Sequence, residues 1–402
     1  MSISSHDFTP FIPSEKTLDS STLPDKAVTL SIASAKIAGN IAEKTQATIT
    51  KHMAVINSYY SNLIEGNRTR PHEIRAAQMG NLSKDVAIRN LQLESIAHIK
   101  VQEWIREQQL TIDTVFSPEF IQAIHREFYH YVPESLWELK NEKGAVIDKV
   151  VPGEWRKRSV TVGKHVPPPA KDLKPLMQQF CDIYHPNQYK GHKKIIAVMC
   201  AHHRLSWIHP FADGNGRVAR LFTDIALKII GVESYGVWCL SRGLARSSDQ
   251  YKILLSRADF SRQGDRDGRG LLSEKSLVEF CEYMLDSAID QVSYISELLQ
   301  IDKMRLRIQS YINARNDMRV PQINSPIKEA AGLVLYNAFL SGEIDRSFAL
   351  ELCAAPERSA RRLLAQLKEE GLLSEISSKS PLVWEIPEHA EPWYFPQLTP
   401  GV

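Results

Sequence analysis

The sequence predicts a mainly α-helical protein, a helical core with a small β-hairpin flap, followed by a C-terminal winged helix-turn-helix. Three observations carry this expectation. From about Thr45 to Arg307, most of the chain repeats apolar residues every three or four positions, the spacing of amphipathic helices. Between Lys143 and Val166 that pattern gives way to glycines and β-branched residues in short alternation, which reads as a hairpin. After a composition shift near Val320-Pro321, three helix-like stretches precede an alternating tail, the order of a winged helix-turn-helix.

Taken in order, residues 1–44 mix Ser, Thr, Pro and Asp and read as an arm lying on the body or partly disordered. Residues 45–83 hold the first strong helix. There Ile49, Met53, Ile56, Tyr60, Leu63 and Ile64 share helical spacing, and Gly66-Asn67 supplies a stop. The core spans 84–310, with a second periodic segment from about Lys84 to Gln108 and a third behind Ser117-Pro118, a cap followed by proline at the first helical position. The flap GEWRKRSVTVGKHV is closed by Pro167-Pro168-Pro169, and the polar loop SRQGDRDGRG at 261–270 reads as a solvated turn. A winged-helix-like domain follows at 320–390, with helices near 326–341, 345–353 and 357–370, and a tail at 391–402.

Composition narrows the function. The 402 residues include 49 Lys and Arg against 47 Asp and Glu, for a net charge of +2. That balance excludes the broad basic field of a general nucleic-acid or membrane binder. Five scattered cysteines, Cys181, Cys200, Cys239, Cys281 and Cys353, form no disulfide framework or zinc spacing and read as buried thiols in a reducing compartment. The N-terminal residues have no apolar leader, and no stretch approaches the roughly 20 apolar residues that span a bilayer. A cytoplasmic protein without a membrane partner is the expectation.

Chemistry concentrates in residues 195–230, where two apolar helical runs flank the polar loop His209-Pro210-Phe211-Ala212-Asp213-Gly214-Asn215-Gly216. Gly214 and Gly216 allow a tight turn that aims backbone N–H groups at one point. The following helix turns its positive end to the same point. Arg217 and Arg220 add cationic donors for phosphate. Asp213 is a hard oxygen ligand of the kind Mg²⁺ takes alongside phosphates, and His209 can accept a proton near neutral pH. Singly, each piece also fits a structural role: a helix-end histidine, a plain turn, a helix cap. Together they spell phosphate-transfer chemistry. GNGRVA fits the loose dinucleotide fingerprint as well, but that motif needs a preceding strand, and here a helix precedes it. His202, His203 and His209 lack the spacing of a zinc site, and Asp265-x-Asp267 lacks the ligand spacing of a calcium loop.

The run from His209 to Arg220 resembles the Fic family signature HPFx[DE]GNGRxxR at every specified position. The resemblance implies an all-helical Fic core and transfer of AMP from ATP to a Ser, Thr or Tyr hydroxyl of a target protein. It implies His209 as the base and Asp213 as the Mg²⁺ holder. Gly214, Asn215, Gly216 and Arg217 would cradle the phosphates, with Arg220 on the γ-phosphate. By the same likeness the flap, with Arg156, Val160 and Val162, would pair with the target backbone as an added strand. Tyr251, in SRGLARSSDQYKILL, would lie on the adenosine side.

The first strong helix ends in Ser61-Asn62-Leu63-Ile64-Glu65-Gly66. Ser61 and Glu65 share a helical face, and a carboxylate at a helix C-terminus opposes the macrodipole; a solvated surface glutamate is the plain alternative. SNLIEG resembles the inhibitory motif [ST]xxxE[GN] of the Fic subclass whose inhibitory helix is N-terminal. That likeness implies that Glu65 pairs with Arg220, with Ser61 assisting, and so inhibits transfer. In some relatives the same glutamate serves removal of AMP. Members of the subclass often self-associate, so a homodimer is compatible with the resemblance.

In the C-terminal segment, Arg358, Arg361 and Arg362 lie where a recognition helix would meet DNA. Residues 321–402 nevertheless hold seven Lys and Arg against 11 Asp and Glu, so DNA is not the favoured partner. The rival reading is a DNA-binding regulator or interaction protein with a catalytically silent Fic core.

Overall fold

A computed structural model describes residues 8–140, 144–321 and 323–398. Helices dominate. The segment expected to be an arm instead forms α1 (Glu15–Ser20) and α2 (Leu23–Asn40). Leu23, Ala27, Leu30 and Ile37 of α2 are buried; their spacing of four, three and seven is helical, but small and polar neighbours mask it in the sequence. α3 (Glu43–Ile64) ends where expected, with Gly66 at φ +93 in the left-handed region that favours glycine.

Then come α4 (Pro71–Gln78), α5 (Val86–Glu107), α6 (Ile112–Val115) and α7 (Pro118–His130). The Asp85 carboxylate accepts the Ile88 N–H, and Ser117 Oγ accepts the Phe120 N–H, so both long helices start at side-chain caps. β1 (Glu138–Lys140) pairs antiparallel with β2 (Val146–Lys149). The hairpin therefore begins earlier than the sequence suggested, and part of its turn, 141–143, lies outside the described residues. From 150 to 166 the flap holds only a bridge between Val162 and His165.

α8 (Leu173–Tyr184), α9 (Lys193–Ile208), α10 (Asn215–Ile229), α11 (Leu240–Arg246), α12 (Ser248–Arg257), α13 (Glu274–Leu298) and α14 (Ile301–Asn316) complete the helical run. The polar loop before α13 is largely exposed, as expected, but Asp267 is buried and its carboxylate accepts the Gln263 and Lys275 N–H groups. Last come α15 (Ala330–Ser341), β3 (Glu343–Ile344), α16 (Arg346–Leu352), α17 (Glu357–Glu369), β4 (Leu373–Ser374), β5 (Leu382–Trp384) and α18 (Glu391–Tyr394). α18 lies in the expected tail, whose last four residues are outside the described range.

The chain divides into two compact units. One comprises the residues up to Ile32 with Asn57–Tyr235 and Cys239–Gln291; the other comprises Ala33–Ile56, Gly236–Trp238 and the residues from Val292 onward. The boundary read near Val320 falls inside the second unit. In the first, α9 packs against α8 and α10, and α7 against α5 and α10. α9 is buried nearly all round, as a central helix must be. Phe222 of α10 meets Phe116 and Phe180 at ring distances of 5.5 and 5.9 Å. All five cysteines are free and buried.

In the second unit the sheet order is β3-β5-β4, all antiparallel, and α15 packs on α14. Trp384 is fully buried between Phe339 and Tyr394. Arg315 is fully buried and donates to both carboxylate oxygens of Glu370 and to Ser325 and Tyr311. Removing one partner of such a pair leaves a buried charge unmatched, at about 3–5 kcal/mol. Glu370→Ala should therefore lower the denaturant midpoint of this unit by an amount equivalent to about 3 kcal/mol, measured by chemical unfolding of the full chain.

Candidate active site

The site is built on the turn between α9 and α10. α9 ends at His209, whose backbone is left-handed (φ 50) and whose N–H donates to the Leu205 carbonyl. That conformation disfavours a residue with a side chain by about 1–2 kcal/mol. Gly214, at φ 78, caps α10. Asn215 locks the turn: its Oδ1 accepts the Phe211 N–H and its Nδ2 donates to the Phe211 carbonyl, both at 2.9 Å. The Asn215 amide thus shapes the loop rather than facing a ligand. Behind it, the first N–H groups of α10 remain as helix-terminal donors at its positive end.

His209 is partly exposed. Burial, aided by the Arg156 charge, lowers its pKa to about 4 against the opposing effects of a Ser206 backbone bond and Asp213. It is neutral at physiological pH, and a neutral imidazole keeps one ring nitrogen able to accept a proton.

The Asp213 carboxylate is half exposed. Burial of its surroundings pushes its pKa up, but Arg217, the Tyr129 hydroxyl and the Gly214 N–H outweigh this and hold it below the ordinary value. An ionised, accessible carboxylate beside the α10 donors suits a Mg²⁺ ion that takes its other ligands from phosphates and water. Among the described residues no group of three or more His, Cys, Asp or Glu is placed to hold a metal ion, so a cation held by Asp213 would need its other ligands from elsewhere.

Both signature arginines are engaged by residues outside the signature. Arg220, 2% exposed, donates to Ser61 Oγ, the Ser61 carbonyl and Glu65 Oε1, the last at 2.7 Å. Arg217 donates to Asn62 Oδ1 and Glu94 Oε2, both at 3.0 Å, and stacks over Phe128. Glu65 sits over the start of α10: a Cβ added to Gly216 would lie 2.2 Å from Glu65 Oε1. A carboxylate at the C-terminal end of α3 therefore occupies the anion-favouring end of α10. Burial works against its charge, but Arg220 and Arg217 hold its pKa below the ordinary value. Asn62, Glu94 and Tyr129 were not singled out from sequence; only Asn62, inside the SNLIEG run, had a local signal.

The flap places its residues differently from expectation. Arg156 is buried and donates to the His209, Arg158 and Pro168 carbonyls, while its N–H donates to the Pro210 carbonyl. Its side chain clamps the flap to the turn between α9 and α10, so it is not free to meet a further partner. Val160 and Val162 lie on the accessible stretch, Val162 being exposed. Tyr251 is likewise turned inward, 3% exposed with its hydroxyl 2.8 Å from His202 Nε2, a placement that lends no support to an adenosine contact. His202 also meets Thr223, and His203 meets Asp259; both are core histidines with protein partners.

Comparison with known proteins agrees with the loop chemistry. Residues 115–227 match the model of the Fic/DOC family. A stretch of 98 residues is 40% identical to the protein adenylyltransferase Fic of Drosophila willistoni, covering 24% of this chain and 20% of that one. Another of 113 residues is 39% identical to its Drosophila mojavensis counterpart, covering 28% and 22%. The match thus spans about a fifth of those relatives' length. Among solved structures, a Fic family protein from Desulfovibrio desulfuricans G20 aligns with TM-score 0.50 and 16% identity over 89% of this chain and 95% of that one. Fic-1 from C. elegans aligns with TM-score 0.53 and 16% identity over 70% and 73%. These structural likenesses show the fold.

Glu65 holds the space over Gly216 at the start of α10, so a polyphosphate can bind at that point only by displacing it. Glu65→Gly should tighten binding of inorganic triphosphate at least about tenfold (roughly 1.4 kcal/mol) by calorimetry.

Proposed function

Because residues 115–227 form a Fic domain, we propose that the chain is a protein adenylyltransferase, moving AMP from ATP to a hydroxyl of a target protein, held in check by Glu65. The observation that carries this is the meeting, on one turn, of a neutral His209, an ionised Asp213 and the α10 donors, with Glu65 seated among them.

In this reading the acceptor Ser, Thr or Tyr oxygen attacks the α-phosphorus and the α–β bridging bond breaks, releasing pyrophosphate. The free ring nitrogen of His209 takes the hydroxyl proton. The N–H groups at the start of α10 receive phosphate oxygens and Arg220 the γ-phosphate, so catalysis is mostly positioning and charge neutralisation. Asp213 would hold Mg²⁺, which supplies neutralisation of the phosphate charge when bound. Val160 and Val162 would meet the target backbone along the flap edge, while Arg156 sets the flap's place.

Inhibition follows from occupancy. With Glu65 over Gly216 and paired to Arg220, neither the cradle nor the arginine is free for the γ-phosphate, and the triphosphate cannot align its α-phosphorus with His209. The same carboxylate would orient a water for removal of AMP. The second unit we read as carrying a winged helix-turn-helix, from the element order α15-β3-α16-α17-β4-β5 and the sheet order β3-β5-β4. Arg358, Arg361 and Arg362 are exposed on α17, with Arg361 paired to Glu357. The acidic balance of that segment favours a protein partner over DNA. No helix among the described residues is long and apolar enough to cross a membrane.

With radiolabelled ATP and purified protein, Glu65→Gly should raise AMP transfer to itself or to a target. His209→Ala in that background should reduce it by about 10²-fold or more; equal labelling of all three proteins would refute the mechanism. The pH profile supplies a second check. A base works only when neutral, so activity is lost as pH falls through its pKa; kcat/KM of Glu65→Gly should keep its acid limb near pH 4. A limb near 6.5 would assign the base to an unburied histidine.

A further inference from the structure

Two residues one turn apart on α7 grip Asp213 from behind. His125 Nδ1 accepts the Gly153 N–H at 2.9 Å, so its other nitrogen, Nε2, carries the proton and donates to the Asp213 carbonyl at 3.2 Å. The ring of His125 is stacked on Phe211, centroids 3.9 Å apart and planes 4° apart, which fixes its direction. Four residues on, Tyr129, 2% exposed, donates its hydroxyl to Asp213 Oδ2 at 2.6 Å. The Tyr129 ring also lies against the start of the cradle, where a Cβ on Gly214 would come within 3.2 Å of Cε2. Asp213 is thus held by its main chain and by one carboxylate oxygen, while the side chain stays half open to solvent.

We propose that Tyr129 is a positioning residue that sets the Asp213 carboxylate for a divalent cation. A lone carboxylate in a turn has a free torsion about its Cβ–Cγ bond, and a cation bound through it must fix that torsion at the moment of binding. The phenol fixes it beforehand by taking one lone pair of Oδ2. The carboxylate, half open to solvent, then offers its remaining lone pairs to the cation. Partners that orient a metal-binding carboxylate in this way are worth about 10–100-fold in metal affinity. The proposal rests on the reading of Asp213 as the Mg²⁺ holder, and it assigns a role to a residue outside the signature.

The test measures binding without turnover. In the Glu65→Gly background, calorimetry gives the affinity for an ATP analogue with a methylene bridge between the α- and β-phosphorus, with and without Mg²⁺. The ratio is the metal-dependent gain. Tyr129→Phe keeps the ring and its packing, and its thermal midpoint serves as the check on folding. The expected result is a gain reduced about tenfold in Tyr129→Phe with the metal-free affinity unchanged, and abolished in Asp213→Ala. A full gain in Asp213→Ala would overturn the reading of Asp213 itself. Loss in Asp213→Ala with a full gain in Tyr129→Phe would overturn the role of Tyr129 alone. Equal weakening of Tyr129→Phe with and without metal would mark a merely structural residue and overturn the proposal as well.

Discussion

The constraint on which the site depends is that one small region of positive potential has two claimants. The start of α10 offers orphan N–H groups and the positive end of a helix dipole. Arg220, buried beside it, adds a full charge that cannot be left unmatched. In the structure that demand is met by Glu65 and by both the hydroxyl and the carbonyl of Ser61. In the function proposed above, a γ-phosphate is the second claimant. In the structure Glu65 holds the space against Gly216, where an added Cβ would lie 2.2 Å from its Oε1. Under that proposed function, inhibition and catalysis draw on the same electrostatics.

The Glu65–Arg220 pair is close but not fully shielded from solvent. A fully buried pair broken on one side costs several kcal/mol, but the Glu65 side chain remains about one-third exposed, which screens the interaction. Arg220 also keeps its two bonds to Ser61 when the carboxylate leaves. Arg217 is anchored separately through Asn62 and Glu94, so release of Glu65 does not free the whole arginine pair. α3 belongs to the second unit over residues 43–56 and to the first from Asn57 on.

How much of this was legible in the sequence depends on how local each feature is. The turn from His209 to Arg220 was legible because its groups are consecutive, so spacing alone sets their geometry. Glu65 and Ser61 were legible through a short motif and one helical turn. The segment of α1 and α2 was missed because its buried positions, Leu23, Ala27, Leu30 and Ile37, are diluted by Ser, Thr and Ala. Arg156 read as a target contact through the resemblance of the flap; three backbone carbonyls converge on its side chain only in the fold. Tyr129 and Glu94 left no signal, since each occupies an ordinary position of an amphipathic helix and meets its partner across more than 80 residues of chain.

Crystal structures of the wild type and of Glu65→Gly, each with a non-reactive ATP analogue, test the central claim most directly. In the variant the terminal phosphate should lie over Gly216 within hydrogen-bond reach of Arg220, with the α-phosphorus facing His209. In the wild type the Glu65 carboxylate should keep that place and the triphosphate should run elsewhere. The same triphosphate pose in both would contradict the account.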